Sequence, residues 1–103
     1  MSEAEDKTAS LLATLWIKVR PLVEERLRTL DQASAAASAG ALTDEKRKEG
    51  ASSAHKLAGS LGMYGYDEGT RIARQLEQLL ENGSPDAARL STLIAELREA
   101  IPA

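Results

Sequence analysis

The sequence predicts an all-α protein, an antiparallel four-helix bundle. Three observations point there. Ala (18 residues) and Leu (15 residues) fill nearly a third of the chain, and both are among the residues a helix accommodates most easily. The β-branched and aromatic strand formers are scarce: Phe is absent, and Trp16, Tyr64 and Tyr66 are the aromatic residues. Apolar residues recur in steps of three and four, in segments separated by turn residues. With 103 residues, 11.0 kDa and an apolar fraction of 43%, the chain is expected to form one domain, residues 1–103, around one core.

The first segment opens at Ser2-Glu3-Ala4-Glu5, an S-x-x-E capping box. Leu12, Leu15, Trp16, Val19, Leu22, Val23, Leu27 and Leu30 then form one apolar stripe. Pro21 interrupts it. Proline cannot donate to the preceding turn, so a kink is expected there, or a break into a short extra N-terminal helix before Pro21 and a longer one after it. The Ala-rich stretch Ala33–Ala39 continues the helix until Gly40 stops it. Thr43 caps the second helix, with Asp44 and Glu45 at the positive end of its dipole, and the helix runs to Met63 or Tyr64. Asp67 is the expected cap of a third helix carrying Ile72, Ala73, Leu76, Leu79 and Leu80, closed by Asn82-Gly83. Ser84-Pro85-Asp86 reads as a cap, a proline at the first helical position and an acid. The last helix presents Leu90, Leu93, Ile94, Leu97 and Ile101.

Composition excludes several functions. There is no cysteine, hence no disulfide, thiol nucleophile or thiolate metal site. A single histidine excludes a multi-histidine metal site within the chain. The net charge of −3 and pI near 5.2 give no general attraction to nucleic acid or anionic lipid. No apolar run approaches the roughly 20 residues of a membrane span, and the acidic start is not a secretory signal. The expectation is a cytoplasmic monomer with no metal or cofactor of its own.

The histidine, His55, lies in the middle of the second helix. Each helical residue turns by about 100°, so Ala54, Leu57 and Leu61 lie at about −100°, −160° and −120° from it. Those three are the core positions, and His55 therefore faces outward. Its own face carries Ala51, Ser52, Ala58, Gly59 and Gly62, with Lys48 two turns back and Lys56 on the flank. Glycine inside a helix costs up to about 1 kcal/mol relative to alanine, and a surface helix has no packing reason for both Gly59 and Gly62. Small residues around an exposed imidazole let a second protein bring a reactive group to the ring, and a neutral imidazole is a nucleophile. Lys48 and Lys56 are placed to offset the charge of an added phosphoryl group. No second acid or base is evident on the histidine's face, which disfavours a hydrolase. The bland reading is an ordinary solvated histidine, with Lys46, Arg47 and Lys48 a solvated charge run and Trp16 a core or boundary residue.

The string Ala54-His55-Lys56-Leu57-Ala58-Gly59-Ser60-Leu61-Gly62-Met63-Tyr64-Gly65, followed by Leu76-Glu77, resembles the signature of histidine-containing phosphotransfer (HPt) domains, roughly A-H-x-L-K-G-S-x-x-x-x-G and then a helix with an L-E pair. The resemblance implies a four-helix bundle whose exposed histidine, here His55, carries a phosphoryl group exchanged with an aspartate of a receiver domain. It implies a docking face around Lys48, Ala51, Ser52, Lys56, Ala58, Gly59 and Gly62. It also implies a carrier without catalytic machinery, the magnesium ion residing on the receiver. One position departs: the lysine usual three residues after the histidine is Ala58, and a lysine stands one residue after it, as Lys56. Three roles remain open at this point: a phosphorelay carrier served by a receiver or a histidine kinase, the phosphoacceptor domain of a larger chemotaxis-type or hybrid kinase, and a helical interaction module that is never phosphorylated. Met1 and the terminal Pro102-Ala103 suit a free-standing protein, and a domain cut from a kinase would look the same.

Overall fold

The computed structural model describes residues 3–102, with side chains from residue 7 onward. Four helices follow one another: α1 (Glu3–Ser38), α2 (Asp44–Met63), α3 (Asp67–Glu81) and α4 (Ala87–Ala100). Each packs on its two neighbours around a closed ring, α4 returning to α1. Cross-helix pairs show the antiparallel runs: Arg26 of α1 meets Ser60 of α2, Ala58 and His55 of α2 meet Thr70 and Glu77 of α3, and Arg98 of α4 bonds Asp31 of α1.

Pro21 does not divide the first segment. It lies inside α1, and the helix runs unbroken from Glu3 to Ser38, so no separate N-terminal helix forms. The physical reason is the stripe on both sides of it. Trp16 is buried before the proline, Val23, Leu27 and Leu30 after it, and one continuous helix keeps both sets on the same face. The carbonyl that proline leaves unpaired is that of Ile17, whose exposed residue lets water take the bond. The stripe itself is shorter than the sequence predicts. Leu12, Leu15 and Leu22 are exposed, as are Leu11 and Ile17. A helix of 36 residues is about 54 Å long, matching the 53 Å longest dimension of the molecule, whereas α2–α4 span 14 to 20 residues. The start of α1 therefore projects past its partners.

The three aromatic residues mark where contact begins. Trp16 packs edge-on against Tyr64 and Tyr66, with ring centroids 5.4 and 4.9 Å away, pinning α1 across the α2–α3 turn. Below this the core is aliphatic: Val23, Leu27, Leu30, Leu57, Leu61, Ile72, Leu76, Leu80, Leu90, Leu93, Ile94 and Leu97 are buried, while Leu79 is half-buried at its edge.

Helix ends follow sequence chemistry with two shifts. Gly40 takes φ of +68° beyond the end of α1, and the Ala41 amide bonds the Ala36 carbonyl at 2.8 Å, a glycine-terminated closure. The Thr43 hydroxyl accepts the Lys46 amide and caps α2. At α3 the cap position is Tyr66, with no side-chain bond, and Asp67 is already helical. At α4 the cap is Asp86, which accepts the Arg89 amide at 2.9 Å; Ser84 and Pro85 precede the helix. A carboxylate in reach of the third amide outcompetes the earlier serine. The capping box at Ser2 lies outside the described residues. Among the described residues no helix is long and apolar enough to cross a membrane.

Candidate functional site

His55 lies twelve residues into α2, where its backbone is committed to the helix and only the ring is free to act. Ala54, Leu57 and Leu61 are fully buried beneath it, so the ring is directed away from the core. Its side chain is 73% exposed. The neighbour sharing its space comes from α3, not α2. Glu77 Oε2 lies 2.8 Å from His55 Nδ1, and the glutamate is only 22% exposed, wedged between the helices. A carboxylate only accepts, so Nδ1 donates the hydrogen, and in the neutral imidazole the lone pair then resides on Nε2. The face of α2 itself carries no acid or base beside His55, as its sequence predicts; the partner comes from α3. The partner was invisible on the wheel of α2 because it belongs to another helix; its sequence signal was the Leu76-Glu77 pair.

Two shallow hollows lie in the groove between α2 and α3, one on each side of this pair. The first is lined by Arg47, Lys48, Ala51, Ser52, His55, Glu77 and Glu81. The second is lined by His55, Ala58, Gly59, Arg74, Glu77 and Gln78. Lys48, Ala51, Ser52, Ala58 and Gly59 are thus gathered around His55. Gly62 borders a third hollow farther along, with Thr70, Arg74 and Gln78. Lys56 lines none of these. It lies about 100° round the helix, on the flank leading to Ser60, which faces Arg26 of α1, whereas the groove opens toward α3. Ala58 is 5% exposed. At about −60° it is as near the direction of Leu61 as that of His55, so it forms the floor of the groove rather than its rim, and its carbonyl accepts the Thr70 hydroxyl at 3.1 Å.

The two glycines differ. A side-chain carbon added at Gly59 would meet nothing within 4 Å, whereas one at Gly62 would lie 3.4 Å from the Thr70 hydroxyl. A carbon at Gly62 would thus touch α3 at ordinary contact distance, whereas the space at Gly59 is open. Arg47 also departs from a solvated run. Its side chain is 14% exposed, and Nη1 donates to the Leu80 carbonyl at 2.8 Å, satisfying the C-terminal end of α3. Arg74 and Gln78, on the α3 side of the groove, were not singled out by sequence, since nothing in α3 alone marks the turns that face His55. Among the described residues no group of three or more His, Asp or Glu is placed to hold a metal ion.

The arrangement offers one exposed nucleophilic nitrogen, a carboxylate fixing its tautomer, open space beside it and cations along the groove. The model of the family described as Hpt domain matches residues 15–103. Protein RcaC of Microchaete diplosiphon is 31% identical over 104 residues, a match that covers 97% of this chain and 16% of that protein. The chain thus spans about a sixth of the length of the relative it matches. No solved structure matches it.

Proposed function

The chain belongs to the Hpt domain family, the histidine phosphotransfer modules of phosphorelays, and we infer that His55 is its phosphoryl-carrying residue. The observation that carries this reading is the 2.8 Å bond from His55 Nδ1 to Glu77 on a ring otherwise exposed. It draws the hydrogen of the neutral ring to Nδ1 and leaves Nε2 as the nitrogen that can attack.

The reaction that fits is exchange with an acyl phosphate on a receiver-domain aspartate. The Nε2 lone pair attacks phosphorus; the N–P bond forms as the P–O bond to the aspartate breaks, and the aspartate oxygen leaves with the electron pair as carboxylate. The imidazole gains positive charge as its lone pair is donated, and the Glu77 carboxylate lies against that charge. No proton has to move, so the same contacts serve both directions. The groove also positions the partner. Magnesium and most of the transition-state stabilisation are assigned to the receiver, consistent with the carrier having no phosphate-cradling loop. Lys48, Ala51, Ser52, Gly59 and Gly62 form the docking surface in this reading, with Ala58 beneath it and Lys56 at its margin. The carrier acts as a cytoplasmic monomer.

A second reading is favoured by one observation: the matching stretch of Protein RcaC is 16% of a longer chain. The same fold then serves as a phosphoacceptor module within a larger signalling protein, with His55 in the same role. Phosphorylation of wild type and His55→Gln by a receiver or histidine kinase tests both. An acid-labile, base-stable label present in wild type and absent from the variant is expected. Equal labelling of the two eliminates both readings, and no label in either leaves an interaction bundle.

A further inference from the structure

The two hollows beside His55 differ in charge. On the Lys48 side, Arg47 and Lys48 are opposed by Glu77 and Glu81, and Arg47 is already bound to the Leu80 carbonyl, with Asp44 3.6 Å from its Nε. On the Gly59 side the charged groups are Arg74 and the shared Glu77, with neutral Gln78 beside them. Arg74 is exposed, and among the described residues its guanidinium has no hydrogen-bond or ion-pair partner. The floor of this hollow is Ala58, and its wall is Gly59, with open space where a side chain would stand. The volume is about 260 Å³, ample for a phosphoryl group.

Phosphorylation of Nε2 places a doubly charged group with three acceptor oxygens beside these residues. Glu77 cannot accompany it, because it lies on Nδ1 and is itself negative. A guanidinium is well matched to such a group, since its planar fork pairs with two phosphoryl oxygens at once, where an ammonium offers a point charge. Lys56 points to the other flank, and position 58 is alanine. We propose that Arg74 is the cation that holds the phosphoryl oxygens of phospho-His55, seated over Ala58 and Gly59, and that it takes the place of the lysine the family pattern puts at position 58. The charge is delivered from α3 across the groove rather than from the turn of α2 that follows the histidine. The inference rests on His55 being the phosphorylated residue.

The test uses the full chain and phosphoramidate, a small donor that needs no partner protein. The imidazole nitrogen attacks phosphorus, the bond to nitrogen of the donor breaks, and ammonia leaves. The ³¹P resonance of the product is then titrated with pH. A cation against the phosphoryl group favours its dianion, so the wild-type midpoint should lie below that of Arg74→Ala by about 0.5 to 1 pH unit. Adding Ala58→Lys to Arg74→Ala should restore the lower midpoint, and Arg28→Ala, which removes an exposed cation of α1, should leave it unchanged. Circular dichroism checks that each variant is folded. Equal midpoints in wild type and Arg74→Ala overturn the proposal while leaving the carrier reading intact. A phosphoryl resonance that persists in His55→Gln, or none in wild type, overturns the carrier reading and this inference with it.

Discussion

Glu77 does for His55 what no residue of α2 does, because the positions one turn away on α2 are Ala51, Ser52, Ala58 and Gly59, none of them an acid. With the Nδ1 hydrogen engaged at 2.8 Å, the nucleophilic nitrogen is selected before a partner arrives. Without it the neutral imidazole divides between two tautomers and the ring turns freely. Glu77→Ala is therefore expected to slow phosphoryl transfer on the order of tenfold or more with the fold unchanged. Long-range ¹H–¹⁵N spectra should show one tautomer in the wild type and a mixture in the variant. Transfer at the wild-type rate with a mixed tautomer would remove Glu77 from the mechanism. At this scale the sequence was most informative about direction: the periodicity of Ala54, Leu57 and Leu61 places His55 outward without any fold. What it could not supply was the far wall of the groove. Glu77, Arg74 and Gln78 sit on α3, and their orientation toward His55 depends on how two helices are rotated against each other, which neither helix records alone.

Helix packing separates the glycines that serve the fold from the one that serves the site. A side-chain carbon at Gly50 would lie 3.3 Å from the Ala33 methyl and 3.2 Å from Leu80; the alanine is fixed to its backbone and cannot yield. Gly50→Ala is expected to destabilise by about 1 kcal/mol, overpacking outweighing the gain in helix propensity. Gly59 has open space, so Gly59→Ala should stabilise by about 0.5 to 1 kcal/mol and raise Tm by about 2–8 °C. Gly59→Leu should fold equally well yet slow transfer on the order of a hundredfold, by holding the partner's phosphoryl off line. Thermal unfolding and transfer rates on the same three variants check the pattern; normal transfer by folded Gly59→Leu would place docking elsewhere. Caps were legible where one side chain decides them, as at Thr43. They shifted where two candidates compete, as at Ser84 and Asp86, and no break forms at Pro21 because local propensity is outweighed by the stripe shared across it.

The whole molecule is a closed ring of four helices with one member longer than the rest. Residues 7–15 of α1 are exposed throughout, and burial begins at Trp16. Amides there are held by helix bonds alone, so hydrogen exchange over residues 8–14 should be close to that of an isolated helix, while residues 23–33 should exchange only on global unfolding. Equal protection along α1 would mean that Leu11, Leu12 and Leu15 are covered in solution. The composition foretold the helical bundle, but not this projection, because an apolar residue at helical spacing reads as core whether or not a neighbour is long enough to cover it. The site lies on the ring, well away from the projection, on two helices tied by the Thr70–Ala58, Arg47–Leu80 and His55–Glu77 bonds. A rigid groove presenting one ring nitrogen is the claim on which the functional reading depends. Phosphorylating ¹⁵N-histidine-labelled chain and reading the phosphorus–nitrogen coupling tests it most directly. The account predicts phosphorus on Nε2 of His55, with Nδ1 still bearing its hydrogen toward Glu77. Phosphorus on Nδ1, or on any other residue, would contradict it.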